Sequence, residues 1–88
     1  MNNLKDLSFL IYGLGLTGKS VINFFNKNRF ENYKVWDDTN KSFSDKRPLN
    51  LRKALKEANY IILSPGVSLN QSKNKKKLIQ YTDKIITD

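Results

Sequence analysis

Ile11-Tyr12-Gly13-Leu14-Gly15-Leu16-Thr17-Gly18-Lys19-Ser20 is the stretch on which the fold turns. The apolar run Phe9-Leu10-Ile11-Tyr12 leads into it and stops at Gly13, as expected of a short strand buried on both faces. Beyond it Val21, Ile22, Phe24 and Phe25 recur at helical spacing, which predicts a helix starting near Thr17 or Gly18 and running to Asn28. Gly13, Gly15 and Gly18 therefore form G-x-G-x-x-G between a strand and a helix, the context in which that motif has a physical meaning. The first glycine permits a tight turn, the second lets a ligand approach the backbone, and the third lets helix and strand pack closely. The helix head then offers N–H groups and a partial positive charge to a phosphate.

Working outward, Tyr33-Lys34-Val35-Trp36 reads as a second strand closed by Asp37-Asp38. Asp37 falls about 20 residues after the glycines, where a dinucleotide fold places its ribose-binding carboxylate. Residues 39–50 are polar, include Pro48 and read as a loop. Leu51, Ala54, Leu55 and Ala58 mark one face of a short helix, and Tyr60-Ile61-Ile62-Leu63 a third strand, stopped by Ser64-Pro65-Gly66. A basic helix over residues 72–82, with Leu78 and Ile79 inward, and a fourth strand, Lys84-Ile85-Ile86-Thr87, complete the pattern. Strands alternating with helices imply parallel pairing with right-handed crossovers. The fold class expected is α/β: a Rossmann-like open parallel sheet of four or five strands with flanking helices, forming a single domain over residues 1–88.

Composition narrows the chemistry. The 88 residues contain no Cys and no His, which excludes disulfides, thiolate chemistry, an ordinary zinc site and a histidine base. No apolar run approaches the roughly 20 residues needed to span a bilayer, and the first residues lack the order of a signal peptide, so a cytoplasmic location is expected, away from membranes. The formal charge of +8 suits an anionic partner, but the abundance of Asn, Lys and Ile accounts for it first as a compositional bias. Lys73, Lys75, Lys76 and Lys77 have no interleaved aromatic platform, so they read as a solvated helix face and no nucleic-acid partner is expected. A sequence that stops directly after a strand is expected to be a module of a longer polypeptide.

The glycine stretch also fits G-x-x-x-x-G-K-[ST], the phosphate loop of nucleotide hydrolases, in which Lys19 would reach the β/γ-phosphates and Ser20 would hold magnesium. Against this, a four-strand sheet is small for such an enzyme, and the third strand ends in Ser64-Pro65-Gly66 without a metal-holding Asp. A small NAD-binding regulatory module, with Asp37 on the ribose, is the other alternative. Ser64-Pro65-Gly66-Val67 would face the same crevice as the glycine loop, because open α/β sheets bind ligands at the carboxyl ends of their strands. Asp37 and Asp38 are adjacent, so their side chains should diverge, which favours a nucleotide contact over paired-carboxylate catalysis. Trp36 reads as core.

Taken together, Ile11 to Gly18, Val35-Trp36-Asp37, Ser64-Pro65-Gly66-Val67 and Ile85-Ile86-Thr87-Asp88 resemble the amino-terminal domain of the D-glutamate-adding Mur ligases of peptidoglycan synthesis. The resemblance covers essentially the whole chain. It implies a domain that holds the UDP part of UDP-N-acetylmuramoyl-L-alanine. By the same resemblance Gly15, Leu16, Thr17 and Gly18 surround the diphosphate, Asp37 bonds the uracil with Asp38 and Thr39 beside it, and Ser64, Pro65 and Gly66 border the pocket. Where family members often carry Asp-Thr-Arg, this chain reads Asp37-Asp38-Thr39-Asn40, leaving Lys41 as the substitute cation. The loop before Leu51 is also short, at the expense of a minor strand. The family's chemistry is ATP- and magnesium-driven amide formation in central and carboxy-terminal domains, which would be this module's partners. The resemblance therefore implies a chain that binds without catalysing, with no catalytic residue, metal or cofactor of its own.

Overall fold

A computed structural model describes residues 6–38, 44–64 and 74–87. The chain runs through β1 (Phe9–Tyr12), α1 (Leu16–Lys27), β2 (Tyr33–Trp36), α2 (Leu51–Glu57), β3 (Tyr60–Leu63), α3 (Lys75–Ile79) and β4 (Ile85–Thr87), with 3-10 turns at Ser44–Lys46 and Thr82–Lys84. The four strands form one sheet in the order β2-β1-β3-β4, with every pairing parallel. Phe9 aligns with Tyr33 on one side and Tyr60 on the other, so β1 is central, flanked by β2 and β3, with β4 outside β3.

The strand alternation divides the core. Leu10, Tyr12, Ile61 and Leu63 face α2 and α3, meeting Leu51, Leu55, Ala58 and Leu78. Ile11, Tyr33 and Val35 face the other way, onto Ile22 and Phe25 of α1 and onto Phe30. Both faces of β1 are thus covered, which is why its sequence is continuously apolar. The α1 side is the more aromatic: Phe25 lies 4.7 Å from Phe30 and 5.2 Å from Tyr33, ring centre to ring centre, in tilted geometries that such pairs favour.

The predicted α/β open sheet is therefore present, with all four predicted strands. Two details differ at the carboxyl end. The last helix spans Lys75–Ile79 rather than 72–82, with residues 72 and 73 outside the described residues. Ile79 is 50% exposed and does not point inward, whereas Leu78 is fully buried. One short turn of helix has room for a single inward position, so adjacent apolar residues cannot both face the core. Lys84 belongs to the 3-10 turn before β4. Its ammonium donates to the carbonyls of Leu55 and Lys56 at 3.1 and 2.7 Å, satisfying the end of α2.

Candidate functional site

β1 feeds α1 and β2 on one side of the sheet, and the chain then crosses to β3 on the other side of β1. The carboxyl ends of β1 and β3 therefore form a topological switch point, where an open α/β sheet has its crevice. Only Gly13, Leu14 and Gly15 separate Tyr12, the last residue of β1, from Leu16, the first of α1. The turn is possible because Gly13 takes φ of 101°, a conformation that costs a side-chain-bearing residue dearly. Its N–H donates to the Trp36 carbonyl at 2.7 Å, and the next N–H, of Leu14, donates to Asp37 Oδ2 at 2.7 Å. The glycine loop is thereby tied to the end of β2.

Gly18 is buried, and a Cβ placed on it would lie 2.2 Å from the Gly13 carbonyl oxygen. The third glycine thus performs the packing role expected of it, bringing α1 against the loop. Ser64, buried at the end of β3, completes the joint: its hydroxyl donates to the Gly13 carbonyl at 2.8 Å and its N–H to the Tyr12 carbonyl at 3.1 Å. Gly15 differs from its two partners. It sits at the N-cap with extended backbone, and an added Cβ would make only ordinary contacts, at 3.5 Å from Ser64 Cβ. Neither packing nor φ requires glycine there; among the demands of the described fold, only helix capping favours it.

The head of α1 has no acidic residue in its first turn and no side-chain cap at Gly15. Its positive end is thus left uncompensated by its own helix. Leu16 is 85% exposed and Thr17 half-buried at this head. The phosphate-loop alternative has a geometric difficulty. α1 begins at Leu16, and the Lys19 N–H already donates to the Gly15 carbonyl at 3.0 Å. Leu16 and Thr17 are already helical residues, whereas a phosphate loop needs that stretch as an open loop whose successive N–H groups cradle the anion.

Asp37 and Asp38 diverge, as adjacent residues should. Asp37 turns to Leu14, while Asp38 Oδ1 accepts from the Tyr12 hydroxyl at 2.5 Å, from Trp36 Nε1 at 3.1 Å and from Asn74 Nδ2 at 2.9 Å. Trp36 packs against the α2 side of the core, with the Arg47 guanidinium 3.8 Å above its ring. Arg47 also donates to the Asp37 carbonyl at 3.1 Å, which places a cation beside the end of β2. Lys75 and Lys76 are exposed on α3. Thr39, Lys41, Pro65, Gly66 and Lys73 lie outside the described residues.

The fold therefore brings Gly15, Leu16, Thr17, Gly18, Asp37, Asp38 and Ser64 around the ends of three neighbouring strands. Sequence reasoning missed Tyr12, Asn74 and Arg47. Tyr12 carried a signal, since a Tyr closing a buried strand must find a partner for its hydroxyl. Asn74 and Arg47 lie in polar stretches and carried none.

Residues 7–86 match the family described as Mur ligase MurD-like, N-terminal domain. A UDP-N-acetylmuramoylalanine--D-glutamate ligase of Buchnera aphidicola subsp. Schizaphis graminum (strain Sg) is 44% identical over 75 residues, covering 75% of this chain. The chain spans about one sixth of that relative's length, 17%.

Proposed function

This chain belongs to the MurD-like N-terminal domain family of Mur ligases, and from that premise we propose that its crevice holds the uridine diphosphate part of UDP-N-acetylmuramoyl-L-alanine. The parent enzyme in this reading is the ATP-dependent ligase that joins D-glutamate to that substrate, acting in the cytoplasm. Its ATP, its magnesium and its amide-forming machinery belong to the central and carboxy-terminal domains, and this chain binds without catalysing.

The observation that carries the reading is the division of labour among the glycines. Gly13 is required by its positive φ and Gly18 by its contact with the Gly13 carbonyl, but Gly15 is required by neither. An exposed glycine at a helix head with no acidic residue in its first turn lets a ligand approach the backbone there. The diphosphate lies at Gly15, Leu16, Thr17 and Gly18. By the family resemblance the uracil is assigned to Asp37, with Asp38 and Thr39 beside it, and the border of the pocket to Ser64, Pro65 and Gly66. Arg47, held on Trp36 and on the Asp37 carbonyl, supplies the cation that the family pattern places after the second strand.

Calorimetric titration of the chain with UDP-N-acetylmuramoyl-L-alanine, NAD and Mg-ATP tests this reading. Saturable heat with the UDP-sugar, and none of comparable affinity with the other two, is expected. Binding of NAD with no response to the UDP-sugar would overturn it in favour of a dinucleotide module.

A further inference from the structure

Beside the crevice lies a polar cluster that the nucleotide reading does not explain. Tyr12 is fully buried, and its hydroxyl donates to Asp38 Oδ1 while accepting from Asn74 Nδ2 at 2.9 Å. The same Asn74 amide group and the Trp36 indole N–H also donate to Asp38 Oδ1. Three residues, from β1, β2 and the head of α3, thus converge on one carboxylate oxygen of Asp38 in the segment after β2. Such convergence suits an ionised carboxylate, whose hydrogen bonds are roughly twice as strong as neutral ones.

Asn74 shows what the cluster is for. It is the N-cap of α3, where an Asn ordinarily turns its side-chain oxygen to its own helix. Asn74 makes no side-chain cap bond, and its amide is directed across to Asp38 and Tyr12 instead. α3 is one short turn with a single buried residue, Leu78, so apolar packing alone holds it weakly. The polar bonds at its head are its second attachment to the sheet, and they grip the carboxyl ends of β1 and β2, where the crevice lies.

We propose that Asp38 is a positioning residue: through Tyr12 and Asn74 its carboxylate docks the head of α3 on the ends of β1 and β2, and so sets the shape of the nucleotide crevice. This rests on the uridine diphosphate reading. The ligand's uracil is left to Asp37, and Asn74 and Tyr12 affect affinity without touching it. Trp36 is the chain's single tryptophan, so its emission reports the state of the cluster directly.

The test uses Asn74→Ala, Tyr12→Phe, their double variant and Lys76→Ala as a surface control. UDP affinity, Trp36 emission and amide hydrogen exchange in residues 74–79 are measured on each. Both single variants are expected to weaken UDP binding by about 3–10-fold, the loss of one ordinary hydrogen bond. The double variant should lose little more than the worse single, because both substitutions break the same attachment. Exchange in α3 should quicken, Trp36 emission should shift and exchange in α1 should hold, with the control unchanged throughout. Unaltered exchange in α3 would overturn the docking role. Faster exchange with full UDP affinity would show the cluster to be structural only and overturn the positioning role. Failure of the unsubstituted chain to bind UDP would overturn the nucleotide reading and the positioning role with it, an outcome told apart by being visible before any substitution is made.

Discussion

At Gly18 an added methyl group would sit 2.2 Å from the Gly13 carbonyl oxygen and 3.0 Å from Ser64 Oγ. Two effects oppose each other in Gly18→Ala. Helix propensity favours alanine by about 1 kcal/mol, whereas forcing a carbon into packed backbone costs about 1–3 kcal/mol or more. The clash is with backbone rather than with the end of a flexible side chain, so it wins, and urea unfolding should show a clear net loss. Gly15→Ala is the counterpart: no clash and no strained φ, so only the poorer capping of Ala at the N-cap is lost, about 1 kcal/mol or less, while UDP affinity falls in titration. Equal losses of stability from both would remove the distinction between a packing glycine and a ligand glycine. Tyr33 gives a pH signature. Burial first, and then the nearby Asp45 and Glu31, hold its hydroxyl above the usual phenol value, although the bond to Asn26 pulls the other way. A raised folded value adds stability in full below the unfolded value of about 10, and that stability is lost as pH rises through the folded value. The stability gap between the original chain and Tyr33→Phe should therefore be flat near neutrality and shrink above about pH 10. Parallel unfolding curves across that range would contradict it.

Among the elements, those set by burial were the easiest to read. β1 and β3 fall where their apolar runs lie, because strands inside the sheet are covered on both faces, whereas β2, at the edge, alternates buried Tyr33 and Val35 with exposed Lys34. α2 was legible from Leu51, Ala54, Leu55 and Ala58, and its start is fixed by Asn50, whose side chain accepts from the Lys53 N–H at 3.1 Å. Asn50→Ala should cost about 1 kcal/mol, measurable as a lower urea midpoint with an unchanged slope. No change would mean that α2 is held by its buried leucines alone. α3 was legible only as an element. Its length and the outward turn of Ile79 depend on how Asn74 and Leu78 are anchored, and those anchors are distant in sequence. Within the site the same distinction holds. The glycine loop, Asp37 and Ser64 could be located because strand ends place them. The bonds joining Tyr12 to Asp38 and to Asn74 span 26 and 62 residues, and no local pattern encodes them.

For the molecule as a whole, size governs what binding can do. A chain of 88 residues has a thin core, so modest free energies move its unfolding temperature far. A ligand that binds the folded state alone adds about 2.7 kcal/mol at a hundredfold excess over its dissociation constant, which in a domain of this length corresponds to about 10–20 °C. In the proposed binding mode that gain has a particular dependence on charge. The ligand's diphosphate meets a helix head with no acidic residue in its first turn, on a chain of formal charge +8, and both attractions weaken as salt screens them. Thermal unfolding with a fixed concentration of UDP should thus show a stabilisation that shrinks steadily from 50 mM to about 500 mM salt, where the Debye length falls to about 4–5 Å. UMP, with one phosphate fewer at the helix head, should stabilise less than UDP at every salt concentration. Gly15→Ala should reduce the UDP effect more than the UMP effect, since the lost approach lies at the diphosphate. A stabilisation by UDP that is indifferent to salt and equal to that by UMP would move the ligand away from α1 and leave the glycine loop as a packing device only.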